Sequence, residues 1–207
     1  MIQNLIFDFD GVIADTFDVN WALSQEHDTE ATMEDFLAHH DGNVFAEPRI
    51  KFDPARVHLF YAEYFNRLQP SHIENSKDSL QRLGKDYDLF IISSNSEAAI
   101  VNVLEKAGVG SLFTRIMGEE THKSKVEKFK ILMDQYGVTA SNTVFVTDTL
   151  GDIHEAHKVG IRTIAETFGF HNRERLSLGK PFKIADSWKE IEETIRDMNN
   201  QQEDSSV

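Results

Sequence analysis

The sequence predicts an α/β protein built on a doubly wound parallel sheet, with an all-helical segment inserted after the first strand. Three observations predict it: short apolar runs bounded by turn residues, helical patterns that alternate with those runs, and a stretch over roughly residues 17–80 that carries helical patterns but no comparable run.

The first run, Ile2 to Phe9, stops at Asp10-Gly11, as a buried strand ending in a tight turn would. Within the insert the clearest helix starts at Asp53-Pro54, an N-cap followed by proline at the first helical position. It continues through Val57, Phe60, Tyr61, Tyr64 and Leu68, an aromatic stripe expected to pack inside the insert, as Trp21 and the neighbouring phenylalanines are expected to do. The second run, Asp88 to Asn95, leads into helical spacing at Ile100, Val103 and Leu104 that ends at Gly108. Ser124 and Glu127 read as a capping box at the start of the next helix. The third run, Thr143 to Asp148, is followed by a helix over Asp152 to Lys158 and a further strand from Ile161 to Ala165. These elements divide the chain into a core, residues 1–16 and 81–199, an inserted helical segment, 17–80, and a polar, flexible tail, 200–207.

Composition narrows the function classes. Residues of hydrophobic type make up 40% and charged ones 27%, which excludes a disordered or fibrous chain. A formal charge of −14 repels nucleic acid and anionic membrane, so neither is an expected partner. The absence of cysteine excludes disulfides, thiolate zinc sites and a thiol nucleophile. The amino terminus has no basic segment leading into a long apolar run, and no window approaches ~18 consecutive apolar residues. A cytoplasmic protein, monomeric or homodimeric, is the expectation.

In an open parallel sheet, ligands bind at the carboxyl ends of the strands, so the informative residues are those where each run stops. The first stops in Asp8-Phe9-Asp10-Gly11, the second in Ser93-Ser94-Asn95, and the third in Asp148 with Asp152 four residues on. Lys123 and Lys125 precede the helix leading to the third strand. Four carboxylates, a hydroxyl and an ammonium are thus expected at one edge of the sheet. Crowded carboxylates need a cation, and magnesium suits an all-oxygen donor set that lacks cysteine and paired histidines. The nine histidines show no ligand spacing, with His154 and His157, beside Asp152, the first exceptions to check.

The segment Asp8-Phe-Asp-Gly-Val-Ile-Ala-Asp-Thr16 resembles the first motif of the haloacid dehalogenase superfamily in its phosphatase form. Ser93 resembles the hydroxyl residue of the second motif, Lys123 or Lys125 the lysine of the third, and Asp148 with Asp152 the acidic fourth. The resemblance covers about 1–16 and 81–195. In the branch similar to phosphoglycolate phosphatase and β-phosphoglucomutase, a helical cap follows the first motif, where residues 17–80 lie. The resemblance implies a Rossmann-like core with that cap, a phosphohydrolase activity, and a magnesium ion held by the Asp8 side chain, the Asp10 backbone carbonyl and Asp148, with Asp152 beside them.

Its chemistry follows from the residue types. Asp8, ionised at neutral pH, attacks phosphorus to give an aspartyl-phosphate. Asp10 protonates the leaving oxygen and then deprotonates water, and crowding by like charges moves a carboxyl toward the protonated form this needs. Ser93, Ser94 and Asn95, with backbone N–H groups at a helix start, are expected to hold phosphate oxygens, and the motif-three lysine to offset the developing charge. Gly11 permits a close backbone approach. Counting back from Gly137-Val138 supports Lys123 on one family pattern and Lys125 on another, so both stand. In the insert, Asn20, His39, Arg49, Lys51 and Arg56 are candidate contacts to a small phosphorylated metabolite. Four other readings compete: a sugar phosphomutase with the same Asp8 chemistry, a hydrolytic dehalogenase, a phosphoacceptor switch without turnover, and a binding protein that kept the fold.

Overall fold

The computed structural model describes residues 1–46 and 48–204. Six parallel strands, β1 (Asn4–Phe7), β2 (Asp88–Ile92), β3 (Phe113–Met117), β4 (Thr143–Thr147), β5 (Arg162–Glu166) and β6 (Lys183–Ala185), form one sheet in the order β3-β2-β1-β4-β5-β6. β1 pairs with β2 and β4 through Ile6, opposite Phe90 and Phe145. Because side chains alternate across a strand, the continuous apolar runs feed two cores. Leu5, Phe7, Leu89, Ile91, Val144 and Val146 face one side, and Ile6, Phe90, Ile92 and Phe145 the other.

Helices cover both faces. On the first lie α4 (Glu74–Leu83), α5 (Glu97–Ala107) and α9 (Trp188–Asp204), which bury Leu80, Leu83, Ile100, Leu104, Trp188 and Ile191. On the second lie α6 (Lys125–Tyr136) and α7 (Leu150–His157), with Phe129, Leu132 and Ala156. The chain runs outward from β1 to β3, then returns to β4 and runs outward again. The switch point therefore falls between β1 and β4, where the crevice of such a sheet opens.

Between β1 and α4 lie α1 (Phe17–His27), α2 (Met33–His39) and α3 (Val57–Arg67), and no strand among the described residues. Phe36 and Ile50, with Phe17, Trp21 and Phe52 against them, form a small aromatic core here that Phe170 of the sheet domain joins. The short α8 (Arg173–Leu178) is tied to this segment by Arg175, whose guanidinium bonds Asp41 at 2.6 Å.

Several boundaries differ from expectation. Asp53 accepts from the Ala55 amide in a turn, and the helix expected at Pro54 starts at Val57. Ser124 stands at the N-cap of α6 but makes no capping hydrogen bond, and Glu127 pairs with Lys130 at 2.7 Å, so the capping box is not formed. The boundary expected at 80/81 falls inside α4, which packs against the sheet domain over its length; its Ser76 hydroxyl donates to the Ile13 carbonyl. α9 runs through Asp204, so 200–204 are helical where a tail was expected, and 205–207 lie outside the described residues. β3 and β6 carried no sequence signal: β3 is an edge strand with Thr114 and Arg115 exposed, and β6 has three residues. No described helix is long and apolar enough to cross a membrane.

Candidate active site

The three strand ends singled out above meet at the β1–β4 switch point. Asp8 is the first residue beyond β1; its amide donates to the Val146 carbonyl, and its Oδ1 accepts from the Phe9 amide at 2.8 Å. Lys125, at the start of α6, places Nζ 2.9 Å from Asp8 Oδ1 and 2.6 Å from Asp152 Oδ2, all three side chains being buried. Thr147 at the end of β4 donates its hydroxyl to the same Asp152 oxygen at 2.7 Å. Lys123 is exposed, with its ammonium 5.4 Å from the Phe45 ring centroid. A single residue, Ser124, separates the lysines, yet only Lys125 reaches the carboxylates, because the first turn of α6 carries it inward.

Asp10 lies beyond the strand, in a turn where Gly11 has φ +78°, a conformation that favours glycine. The turn therefore, and not strand alternation, brings Asp10 to the same cavity as Asp8. Its Oδ1 accepts from the Thr16 hydroxyl at 2.7 Å, the Asn20 amide at 2.9 Å and the Tyr64 hydroxyl at 2.7 Å; its Oδ2 accepts from Asn95 Nδ2 at 3.3 Å. Tyr64 belongs to the stripe expected to pack inside the insert. Its hydroxyl instead reaches the site, where burial and the Asp10 charge hold its pKa well above the ordinary range, so it acts as a donor. Replacing Tyr64 by Phe is expected to lower kcat about tenfold, the loss of one bond to a charged group, while the melting temperature moves by only a few degrees, about 1 kcal/mol. An unchanged kcat would remove Tyr64 from the positioning of Asp10.

Ser93 is fully buried, and its hydroxyl accepts from the Asn95 amide at 3.0 Å. Two of the amides expected to form an anion site at the helix start are already taken. The Ser96 amide takes Asn95 Oδ1 at 3.0 Å, and the Glu97 amide takes the Glu120 carboxylate at 2.8 Å. Ser94 and Asn95 both line the cavity. Lys128, fully buried one turn after Lys125, donates to the Ser93 carbonyl and so anchors this loop.

Across the switch point, Asp148 Oδ2 accepts from the Phe170 amide at 2.7 Å, and Oδ1 is buried without a partner. A methyl group on Gly11 or Gly169 would overlap Asp148 Oδ2, so both glycines are required by how closely the backbone approaches this carboxylate. Burial, with Asp152 nearby, raises the Asp148 pKa to about 7, against the lowering effect of the Phe170 amide. Burial also raises that of Asp8 well above its ordinary value; Lys125 opposes this, and Asp152 and Asp148 add to it. Burial disfavours the Lys125 charge, but Asp152 and Asp8 outweigh it and keep the ammonium protonated. One lysine thus faces more negative charge than it can balance. The orphaned Asp148 oxygen and the surplus of carboxylates fit a bound divalent cation. No three acidic or histidine side chains converge closely enough among the described residues to hold one alone, so an ion here would take Asp8 and Asp148 with a backbone carbonyl and waters.

Glu155 and Glu166 carried no distinct signal. Glu155 is buried in α7; its Oε1 accepts from the Lys125 amide and from Asn43 Nδ2, each at 3.1 Å, and so joins α6 to the inserted segment. Glu166 ends β5, one residue past the expected strand, and burial with Asp148 nearby raises its pKa well above the ordinary range. His154 and His157 lie exposed on α7, away from the cavity. His171 is buried: its Nδ1 accepts from the Leu150 amide and its Nε2 lies 2.9 Å from the Leu37 carbonyl.

The model of the haloacid dehalogenase-like hydrolase family matches residues 5–166. The chain belongs to this family. A phosphoglycolate phosphatase of Aliivibrio fischeri is 29% identical over 145 residues, which are 68% of this chain and 63% of that protein. A solved haloacid dehalogenase-like hydrolase from Streptococcus pneumoniae superposes with a TM-score of 0.75 at 16% identity, covering 94% of this chain and 98% of the other. A β-phosphoglucomutase from Clostridium difficile superposes at 0.74 with 19% identity, over 98% and 99%. At these identities the two structures establish the shared fold. The expected Rossmann-like haloacid dehalogenase core is thus present, with its sheet in the order given above.

Proposed function

We propose that this haloacid dehalogenase-like hydrolase is a magnesium-dependent phosphatase that acts on a small phosphorylated metabolite through an aspartyl-phosphate on Asp8. The reading rests on the ion pair of Lys125 with Asp8 and Asp152 at the floor of a cavity that Asp10 also lines. The Asp8 carboxylate attacks phosphorus as the ester oxygen leaves with a proton from Asp10. Asp10 then takes a proton from water, whose oxygen attacks the aspartyl-phosphate and releases inorganic phosphate, returning Asp8 to its starting state. Lys125 and Ser93 serve the phosphoryl oxygens, and Thr16, Asn20 and Tyr64 hold Asp10 in line. Magnesium, held by Asp8, Asp148 and the Asp10 carbonyl with Asp152 alongside, would supply positive charge against the phosphoryl oxygens.

The similarity to phosphoglycolate phosphatases supports the same reading, and the chain is expected to act in the cytoplasm as monomer or homodimer, its formal charge of −14 offering no attraction to nucleic acid or anionic membrane. The phosphomutase alternative shares every step on Asp8 and differs in returning the phosphoryl group to a sugar. Phosphate release from p-nitrophenyl phosphate and a panel of metabolites, with and without magnesium, tests the proposal; absence of turnover throughout would withdraw it.

A cation and a proton compete for Asp148. Its folded pKa of about 7 lies above the unfolded 3.8, so the metal-free protein draws stability from this group below pH ~4 and loses it as pH rises to about 7. Magnesium affinity has the opposite trend, because the proton must leave first. The rise in melting temperature caused by millimolar magnesium is therefore expected to be larger at pH 8 than at pH 5.5. A rise independent of pH would remove Asp148 from the site.

A further inference from the structure

The cavity above Asp8 has a volume of about 630 Å³, within the roughly 300–1,000 Å³ typical of sites for drug-sized ligands and far more than a phosphate on a two-carbon acid fills. Its floor is polar and already assigned: Asp8, Asp10, Ser93, Lys125 and Asp152. Its upper wall comes from the inserted segment and is mainly apolar, with Val44, Phe45, Ile50, Phe52, Val57 and Phe60, alongside polar groups that include His39, His40 and Lys51. Phe52 meets Phe60 edge to face at 5.2 Å, and Phe36 lies against Phe170 at 5.6 Å, so the wall is a set of connected rings.

No cation of that wall is held ready for a second anionic group. No arginine lines the cavity among the described residues. Arg49 and Arg56, the expected contacts, are exposed and do not line it. Lys51 does line it, but it is directed to Glu30 at 3.7 Å, and Lys123 stands over the Phe45 ring. His39 and His40 line it uncharged at neutral pH, burial holding them down to about 4 and about 3. A carboxylate buried against these rings would lose its hydration without a partner, whereas an aromatic or long aliphatic group would gain area burial and ring contacts.

We propose that the substrate is a phosphate monoester of a bulky, uncharged, ring-bearing or otherwise apolar alcohol, and that a compact ester carrying a second anionic group, such as phosphoglycolate, is a poor one. This rests on the phosphatase reading above and names its substrate class.

Three alkyl esters test it in the presence of magnesium: phenylpropyl phosphate, propyl phosphate and phosphoglycolate. The first two have leaving alcohols of matched basicity, so a difference between them reports binding of the ring and not intrinsic reactivity. We expect kcat/KM for phenylpropyl phosphate to exceed that for propyl phosphate roughly 30-fold, the factor corresponding to about 2 kcal/mol of apolar burial. Phosphoglycolate is expected to be slower than both. Equal rates for the two alkyl esters, or a preference for phosphoglycolate, would overturn the substrate class and leave the phosphatase standing. No turnover of any of the three, together with none of p-nitrophenyl phosphate, would overturn the phosphatase reading itself.

Discussion

Replacing Asp8 with Asn is expected to lower phosphate release by on the order of 10⁴-fold or more while raising the stability of the metal-free protein. The activity loss follows from removing the nucleophile, for which a neutral amide is no substitute; groups that act as a unit with it cannot compensate. The stability gain follows from burial. Asp8 lies among Asp148, Asp152 and low-dielectric walls, and burial, the largest influence, raises its pKa against the pull of Lys125. Its charge is therefore held in the fold at a cost, and an isosteric amide removes that cost. Steady-state phosphate release and thermal melts in chelator measure the two effects. A variant that retains more than a hundredth of wild-type turnover would show that the phosphoryl group is not transferred to Asp8.

Lys125→Met has the second largest expected effect, and its stability change has the opposite sign. The ammonium is bonded to Asp8 at 2.9 Å and to Asp152 at 2.6 Å, and all three side chains are buried. Methionine fills similar volume but leaves two buried carboxylates unbalanced, a loss of about 3–5 kcal/mol, or roughly 6–20 °C in melting temperature for a chain of this size. The loss should shrink as pH is lowered, because burial raises the Asp8 pKa and a protonated Asp8 no longer needs a charged partner. Where the variant stays folded, kcat should fall on the order of 10²–10³-fold, since charge developing on the phosphoryl oxygens loses a fixed donor. Lys123→Met, by contrast, should leave stability within about 0.5 kcal/mol of wild type, because its ammonium is exposed over Phe45. If both variants behaved alike, the position of Lys125 in the site would be in error.

Much of this was legible in the chain. The runs at Leu5 to Phe7, Leu89 to Ile92 and Val144 to Val146 are apolar without interruption because both faces of a parallel sheet are covered, and such runs announce themselves. Their ends are marked by residues that apolar strands do not carry, Asp8, Ser93 and Asp148. Elements with weaker patterns went unread: β3 exposes Thr114 and Arg115 at the sheet edge, and β6 is three residues long. Tyr64 packs in a core, as an aromatic at helical spacing is expected to, and only its hydroxyl, 2.7 Å from Asp10, gives it a second role that spacing does not encode.

By itself, the sequence determined the layered α/β class, the position of the helical insert and the acidic set at the strand ends, since periodicity, turn chemistry and strand-end polarity are properties of near neighbours. Tertiary structure alone decided that Lys125 and not Lys123 meets the carboxylates, that Tyr64, Thr16, Asn20 and Asn95 converge on Asp10, and that the wall above them is largely aromatic, with no arginine among the described residues. Those pairings join residues 27 positions apart for Lys125 with Asp152, 54 for Tyr64 with Asp10 and 85 for Asn95 with Asp10. No local pattern encodes such distances, because they depend on how the helices cross the sheet and how the insert folds back over the switch point.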